Sequence, residues 1–470
     1  MSTAAVDTRA PMPAPAGRFD PYHLDPQDVA EPPQGLGNIV RRIGPGLVLS
    51  ASIVGSGELI ATTALGAKVG YTLLWLIILS CLIKSVVQAV LGRYIIASGE
   101  TTLIAFSRVP GPKLLVHWIV WAWAAATFMV IFAVTGMYIG VSQVMHVLVP
   151  GVPVTAWVLV FLVITLALLL GGAYARVEKI AMFKVAVFTM ITVLSAILLT
   201  QIPEYFTWAR VAEGLTFKLP EGNALGIAIA VFGITGVASG ELCIYPYWCI
   251  EKGYARWTGP REDSEAWRRR ARGWIRVMHV DVLVSMFVYT IATIAFYLLG
   301  AGVLHGMGQV PGGTGMITAL SNIYTQTLGP WSLWLFYLGA VIILYGTLFA
   351  VTAGNSRMIA DFFQVAGAFP HDDYARRTRY RDVCIVVWSL TAVLFYFIFG
   401  QAPVTLVTWT GIGQAALLPI VAFGTVYLAH RHLPAELKVP GWMLAVLWLA
   451  AVVITAFIVP SLYMEFSKLF

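Results

Sequence analysis

Ala51-Ser52-Ile53-Val54-Gly55-Ser56-Gly57-Glu58-Leu59 and Gly236-Val237-Ala238-Ser239-Gly240-Glu241-Leu242 each set Ser-Gly-Glu-Leu in the middle of an otherwise apolar run. A membrane helix must satisfy its own backbone, so a glycine-rich, charged interruption at mid-depth survives only where it faces protein or a water-filled cavity. A carboxylate at the bilayer centre costs on the order of 3 kcal/mol. Glu58 and Glu241 therefore need a compensating partner: a bound cation, or Lys84 in the neighbouring apolar run. The residues leave both open, and the two are compatible, because a lysine can fill a cation site while it is empty. Ser98-Gly99-Glu100 repeats the tripeptide at the end of an apolar run, so position rather than motif carries the argument. Among 23 acidic residues, Glu58 and Glu241 read as the two deep within spans.

The surrounding chain is built for lipid. Hydrophobic residues make up 59% and charged residues 11%, with a mean hydropathy of +0.80, whereas a soluble domain carries about 25% charge. The runs 71–96 and 114–149 exceed the roughly 20 residues that cross a bilayer. Eleven apolar segments are expected, near 43–67, 71–97, 114–148, 154–172, 178–200, 225–250, 275–301, 331–362, 383–400, 403–429 and 441–464. This predicts an all-α integral membrane protein. The two interruptions fall in the first and sixth segments, which are equivalent positions if the first ten form two inverted five-helix repeats and the eleventh is an addition. In that architecture the broken helices meet at the midplane, where freed carbonyls and half-helix ends bind ions.

Residues 1–37 are polar and Pro-rich and carry no cleavable-signal pattern; they are expected to be a disordered cytoplasmic tail, with residues 38–470 as the membrane domain. Most of the 30 Lys and Arg then fall on the same side as that tail. The positive-inside rule puts the N-terminus in the cytoplasm and the C-terminus outside, in a multi-pass plasma (inner) membrane protein. Arg268, Arg269, Arg270 and Arg272 suit anionic lipid, although a topogenic loop is the plainer reading. Cys81, Cys243, Cys249 and Cys384 lack metal-site spacing and read as buried thiols. Trp75, Trp274, Trp331 and Trp442 read as an interfacial belt. The net charge of +7 reflects topology, not a nucleic-acid partner. Asn355 and Arg357 read as lining the inner vestibule or, more plainly, as snorkelling to the cytoplasmic surface, and Thr410 and Gln414, beside Gly411 and Gly413, as lining a substrate path or a tight helix contact.

Gly44-Pro45-Gly46, the first interruption, Gly66-Ala67, Leu73-Leu74-Trp75, Arg93 and Gly99 together resemble the opening of the Nramp divalent-metal transporters, in a divergent branch. The resemblance implies a LeuT-like fold with its first and sixth helices broken. The family usually carries Asp-Pro-Gly-Asn where this chain has Gly55, Ser56, Gly57 and Glu58, so the aspartate is absent and a carboxylate stands at the asparagine position. Its Met-Pro-His falls on Gly240, Glu241 and Leu242, which removes the thioether and the histidine. The third segment lacks the family's acids, and Leu417 stands near its glutamine, with Gln414 one turn earlier.

These departures point to a harder cargo, since thioethers select transition metals while carboxylates, carbonyls and water suit Mg²⁺, Ca²⁺ or Mn²⁺. The expected activity is alternating-access carriage of a divalent cation, Mg²⁺ or Mn²⁺ favoured, not an enzymatic reaction. Glu58, Glu241 and the carbonyls near Gly55 and Ala238 would hold the ion; Ser56, Ser239, Cys243, Lys84, Gln414 and Thr410 would line its path, with Cys243 as a possible soft ligand. The partners expected are the metal ion as substrate and the lipid bilayer; no cofactor is expected beyond the transported cation, and the chain is expected to be a monomer or weak homo-oligomer. Two alternatives stand beside this: a LeuT-like carrier of an organic cation or amino acid, and a non-transporting membrane protein with a structural Glu-Lys pair.

Overall fold

The computed structural model describes residues 20–467 apart from Ser56, 171–178, 180–188, 219–223 and 401. Among the described residues nine helical segments are long and apolar enough to cross a membrane. They are Pro45–Val69, Leu74–Ser98, Trp118–Leu148, Leu225–Lys252, Glu265–Leu304, Ser332–Val365, Tyr374–Phe399, Pro403–Arg431 and Gly441–Met464. Two shorter apolar helices, Val154–Leu169 and Thr189–Leu199, stand where the fourth and fifth spans are expected. Lys184 and the first part of the expected fifth span lie outside the described residues.

The first span opens with the helix Pro45–Ile53, its Pro in the first turn, where the missing N–H costs nothing. It has no side-chain cap of its own. Asp281 of the seventh span supplies one, accepting from the amides of Gly44 at 2.9 Å and Gly46 at 2.6 Å and from the Tyr245 hydroxyl at 2.9 Å. The helix stops at Val54, and the chain resumes as the π-helical turn Gly57–Thr62 and then Thr63–Val69. A Cβ on Gly55 would fall 2.6 Å from the Thr347 Cβ, so only glycine allows the eighth span this close. The sixth span breaks in the same way, between Ala224–Ile234 and Ser239–Lys252, through Gly236 at φ 65°. That left-handed value suits glycine.

Around the breaks, the second span packs along the seventh and the third along the eighth and tenth. All four cysteines are buried free thiols.

Several expectations change here. Asp281 and Asp361 are as fully buried as Glu58, so burial from solvent is not peculiar to the acids of the two interruptions. Asp361 is held by the Arg377 guanidinium at 2.8 Å, Thr101 at 2.7 Å and Tyr247 at 2.5 Å. Trp274 leaves the interfacial belt, being 2% exposed with its indole on the Ala30 carbonyl at 2.9 Å; Trp331 and Trp442 are exposed. Arg357 does not snorkel but pairs with Glu251 at 2.8 Å. Residues 20–37, expected as tail, lie against the bundle: Tyr22 donates to Glu251 at 2.8 Å, and Glu31 pairs with Arg269 at 2.8 Å. Aromatic and ionic partners on three spans supply what the polar segment cannot supply itself.

Candidate functional site

The sixth-span break exposes the carbonyl end of one half-helix and the amide end of the other, and each end is met by a side chain from another span. The Lys84 ammonium contacts the Phe232 carbonyl, reaches the Thr235 carbonyl at 2.8 Å, and lies 4.7 Å from the centre of the Phe232 ring. Ser80 adds its hydroxyl to the Thr235 carbonyl at 3.0 Å. A helix C-terminus carries partial negative charge, so a cation is stabilising there. At the opposite end, Gln414 of the tenth span accepts from the Gly240 amide at 2.6 Å and the Ser239 hydroxyl at 2.8 Å. Glu241 folds back on its own helix, its Oε2 accepting from the Ala238 amide at 2.7 Å, in the manner of the third residue of a capping box. Its Oε1 accepts from Ser52 of the first span at 3.3 Å.

Beside this junction lies a cavity of about 80 Å³, where one water needs roughly 10–15 Å³. It therefore has room for an ion that keeps several waters. Its oxygen-bearing wall consists of Ser52, Glu241, Asn355, Thr410 and Gln414, and Met137 brings a thioether from the third span. Thr410 is also a wedge: it donates to the Met129 carbonyl at 2.7 Å and accepts from the Ala133 amide at 2.9 Å. It thus stands inside the third span's own hydrogen-bond ladder, an insertion of the kind that bends helices.

Glu58 is elsewhere. It is fully buried and does not line the cavity; its Oε2 accepts from Thr62 at 2.7 Å, and its Oε1 has no hydrogen-bond partner among the described residues. Thr62 in turn touches the Thr235 hydroxyl at 3.1 Å, which ties Glu58 to the sixth-span break from behind. Lys84 is an electrostatic neighbour of both carboxylates, but among the described residues it forms an ion pair with neither: its Nζ is on the carbonyls.

The remaining expected residues divide. Ala238 lines the cavity, but its carbonyl accepts from Leu242 at 2.8 Å, and the Gly55 carbonyl accepts from Leu59 at 2.8 Å. The Phe232 and Thr235 carbonyls at the break are the ones that meet a cation here, the Lys84 ammonium. Cys243 is buried away from the cavity, and Ser239 serves as a strut to Gln414. Ser56 lies outside the described residues. Ser52 and Met137 were not among the expected site residues; Ser52 stands within the first interruption, whereas nothing in the third run singles out Met137. Among the described residues no group of three or more His, Cys, Asp or Glu could hold a metal ion, so a cation here would rely on Glu241, neutral oxygens and water.

Residues 46–464 match the family described as Nramp, "Natural resistance-associated macrophage protein-like". An uncharacterized protein, PM0681, of Pasteurella multocida is 25% identical over 413 residues, covering 87% of this chain and 88% of that protein. The divalent metal cation transporter MntH 1 of Pseudomonas aeruginosa is 24% identical over 439 residues, covering 90% of this chain and 92% of the relative. Among solved structures, a manganese transporter of Eremococcus coleocola superposes with a TM-score of 0.66 at 18% identity, covering 93% of this chain and 90% of that one. MhsT, solved with L-phenylalanine, gives 0.57 at 15% identity, covering 88% and 98%. The fold is accordingly LeuT-like, two inverted five-helix repeats with an eleventh helix.

Proposed function

This chain belongs to the Nramp family, and on that premise we propose that it carries a divalent metal cation, Mg²⁺ or Mn²⁺ in preference to softer metals, by alternating access. The observation that carries the reading is the Glu241 carboxylate on the wall of the cavity at the helix break, with Ser52, Asn355 and Thr410 as neutral oxygen donors beside it and Gln414 bracing the half-helix start. One carboxylate with neutral oxygens and retained water suits a hard ion. Met137 is the soft donor on that wall. A thioether ligand would favour Mn²⁺ over Mg²⁺.

In this reading Glu241 is the carboxylate that meets the ion in the present conformation, and Glu58 joins when the two breaks shift against each other during the cycle. Lys84 holds the half-helix end meanwhile. The N-terminus is cytoplasmic and the C-terminus external in the plasma (inner) membrane, because the docked segment 20–37 shares its end of the bundle with Arg256, Arg269 and Arg377.

Uptake of Mn²⁺, Mg²⁺ and Ca²⁺ into proteoliposomes tests the proposal. Flux should depend on Glu241. Undiminished flux in both Glu58→Ala and Glu241→Ala would overturn the site, and saturable amine or amino-acid uptake without metal flux would replace the cargo.

A further inference from the structure

Away from the breaks, a cleft of about 330 Å³ opens between the end of the second span, the start of the seventh and the turn before the last span. Arg272, Ile275, Arg276 and His279 line it, and their spacing puts them on one helix face. Arg93 enters from the second span and Glu436 with Leu437 from the turn.

Charge in the cleft is predominantly positive, with Glu436 the one carboxylate among its lining residues. Glu436 is drawn toward Arg268 at 3.7 Å, and Arg272 has only an exposed contact with Glu265 at 3.6 Å. Arg276 has no acidic partner among the described residues. Arg93 spends its Nη1 on the carbonyls of Leu437 at 3.2 Å and Lys438 at 2.9 Å. Its Nε, like the Nε2 of His279, is buried without a partner, and buried polar nitrogens left unpaired are unfavourable. Three guanidiniums and an imidazole thus face a space in which Glu436, shared with Arg268, is the single lining acid and does not balance them. Planar guanidiniums recognise phosphate oxygens in pairs. Trp442, exposed at the start of the last span, places the cleft at the level where headgroups lie.

We propose that this cleft binds a phosphate group, that of an anionic lipid headgroup or a free phosphate anion, through Arg93, Arg272, Arg276 and His279. The site is separate from the cation cavity and does not depend on the transport reading.

The full-length chain in detergent is titrated with phosphatidylglycerol, with phosphatidylcholine and with inorganic phosphate, following the melting temperature and the lipid retained in native mass spectra. Phosphatidylglycerol should raise the melting temperature and phosphatidylcholine should not. The exposed pair is changed in R272Q/R276Q, which should fold normally and lose about fivefold in apparent phosphatidylglycerol affinity per arginine. Displacement of phosphatidylglycerol by inorganic phosphate assigns recognition to the phosphate alone; retained lipid despite phosphate assigns it to the headgroup in its lipid setting. Equal stabilisation by both lipids, or undiminished affinity in R272Q/R276Q, overturns the proposal.

Discussion

Lys84 places its Nζ 2.8 Å from the carbonyl oxygen of Thr235, with the Phe232 carbonyl against the same ammonium. A tethered cation therefore already occupies the negative end of the half-helix Ala224–Ile234. Replacing it by an isosteric apolar chain, Lys84→Met, strips two buried carbonyls of a charged donor. The loss should be about 2–3 kcal/mol, seen as a lower melting temperature, and added Mn²⁺ should restore more stability to the variant than to the parent. A variant indifferent to metal would remove Lys84 from the cation account.

Glu241 has two duties that one pair of variants separates. Glu241→Gln keeps an oxygen for the Ala238 amide, because a capping box accepts Gln as well as Glu, so the helix end should survive while the cavity loses its charge. Metal uptake should fall at least about tenfold, equivalent to about 1.4 kcal/mol, at an unchanged melting temperature. Glu241→Ala should lose both flux and about 1 kcal/mol of stability.

Glu58 does not face the cavity in this conformation. Glu58→Gln retains an acceptor for Thr62 and removes a buried charge, so it should melt no lower than the parent. If Glu58 joins the site during the cycle, resting-state Mn²⁺ affinity by calorimetry stays constant while the transport rate drops about tenfold (1.4 kcal/mol). An unchanged rate would confine Glu58 to a packing role.

Asp281 caps the first span from the seventh. Asp281→Ala leaves two amides and the Tyr245 hydroxyl unmet, and should cost about 3 kcal/mol at about 1–3 kcal/mol per orphaned group, less whatever water repairs. Asp281→Asn keeps one of the two acceptor oxygens, enough for Gly46 and Tyr245, but sets an amide NH2 against the Gly44 amide, so it should recover only part of the lost melting temperature.

Gly55→Ala sets a methyl 2.6 Å from the Thr347 Cβ, an overpacking expected to cost about 1–3 kcal/mol. Thr347→Ala in the same chain removes the hydroxyl and methyl but not the Cβ, so part of the loss should return. Thermal melts of the two single variants and the double variant should be non-additive, as for residues in contact.

Much of the fold was legible because its signal is local. Eleven apolar runs and two glycine-flanked glutamates are read along the chain, and the structure breaks the first and sixth spans at Val54 and Gly236, within the quoted stretches. Asp281 carries no local signal in the seventh helix, Glu265–Leu299; its role as a cap appears only where that helix meets the start of the first span. Gln414, one turn before Leu417, reaches the break through its contacts with Ser239 and Gly240. That reach depends on how the tenth span lies against the sixth.

The sequence by itself determined that this chain enters a membrane, how many apolar segments it has, and where two of them must open, since hydropathy and backbone satisfaction are properties of neighbouring residues. Only the tertiary structure decided who answers each opening: Lys84 on carbonyls and not on a glutamate, Glu241 on the cavity, Glu58 behind it, Asp281 on a distant helix start. Pairing within hydrogen-bond distance joins residues up to 345 positions apart, and no local pattern encodes which of several buried donors arrives first.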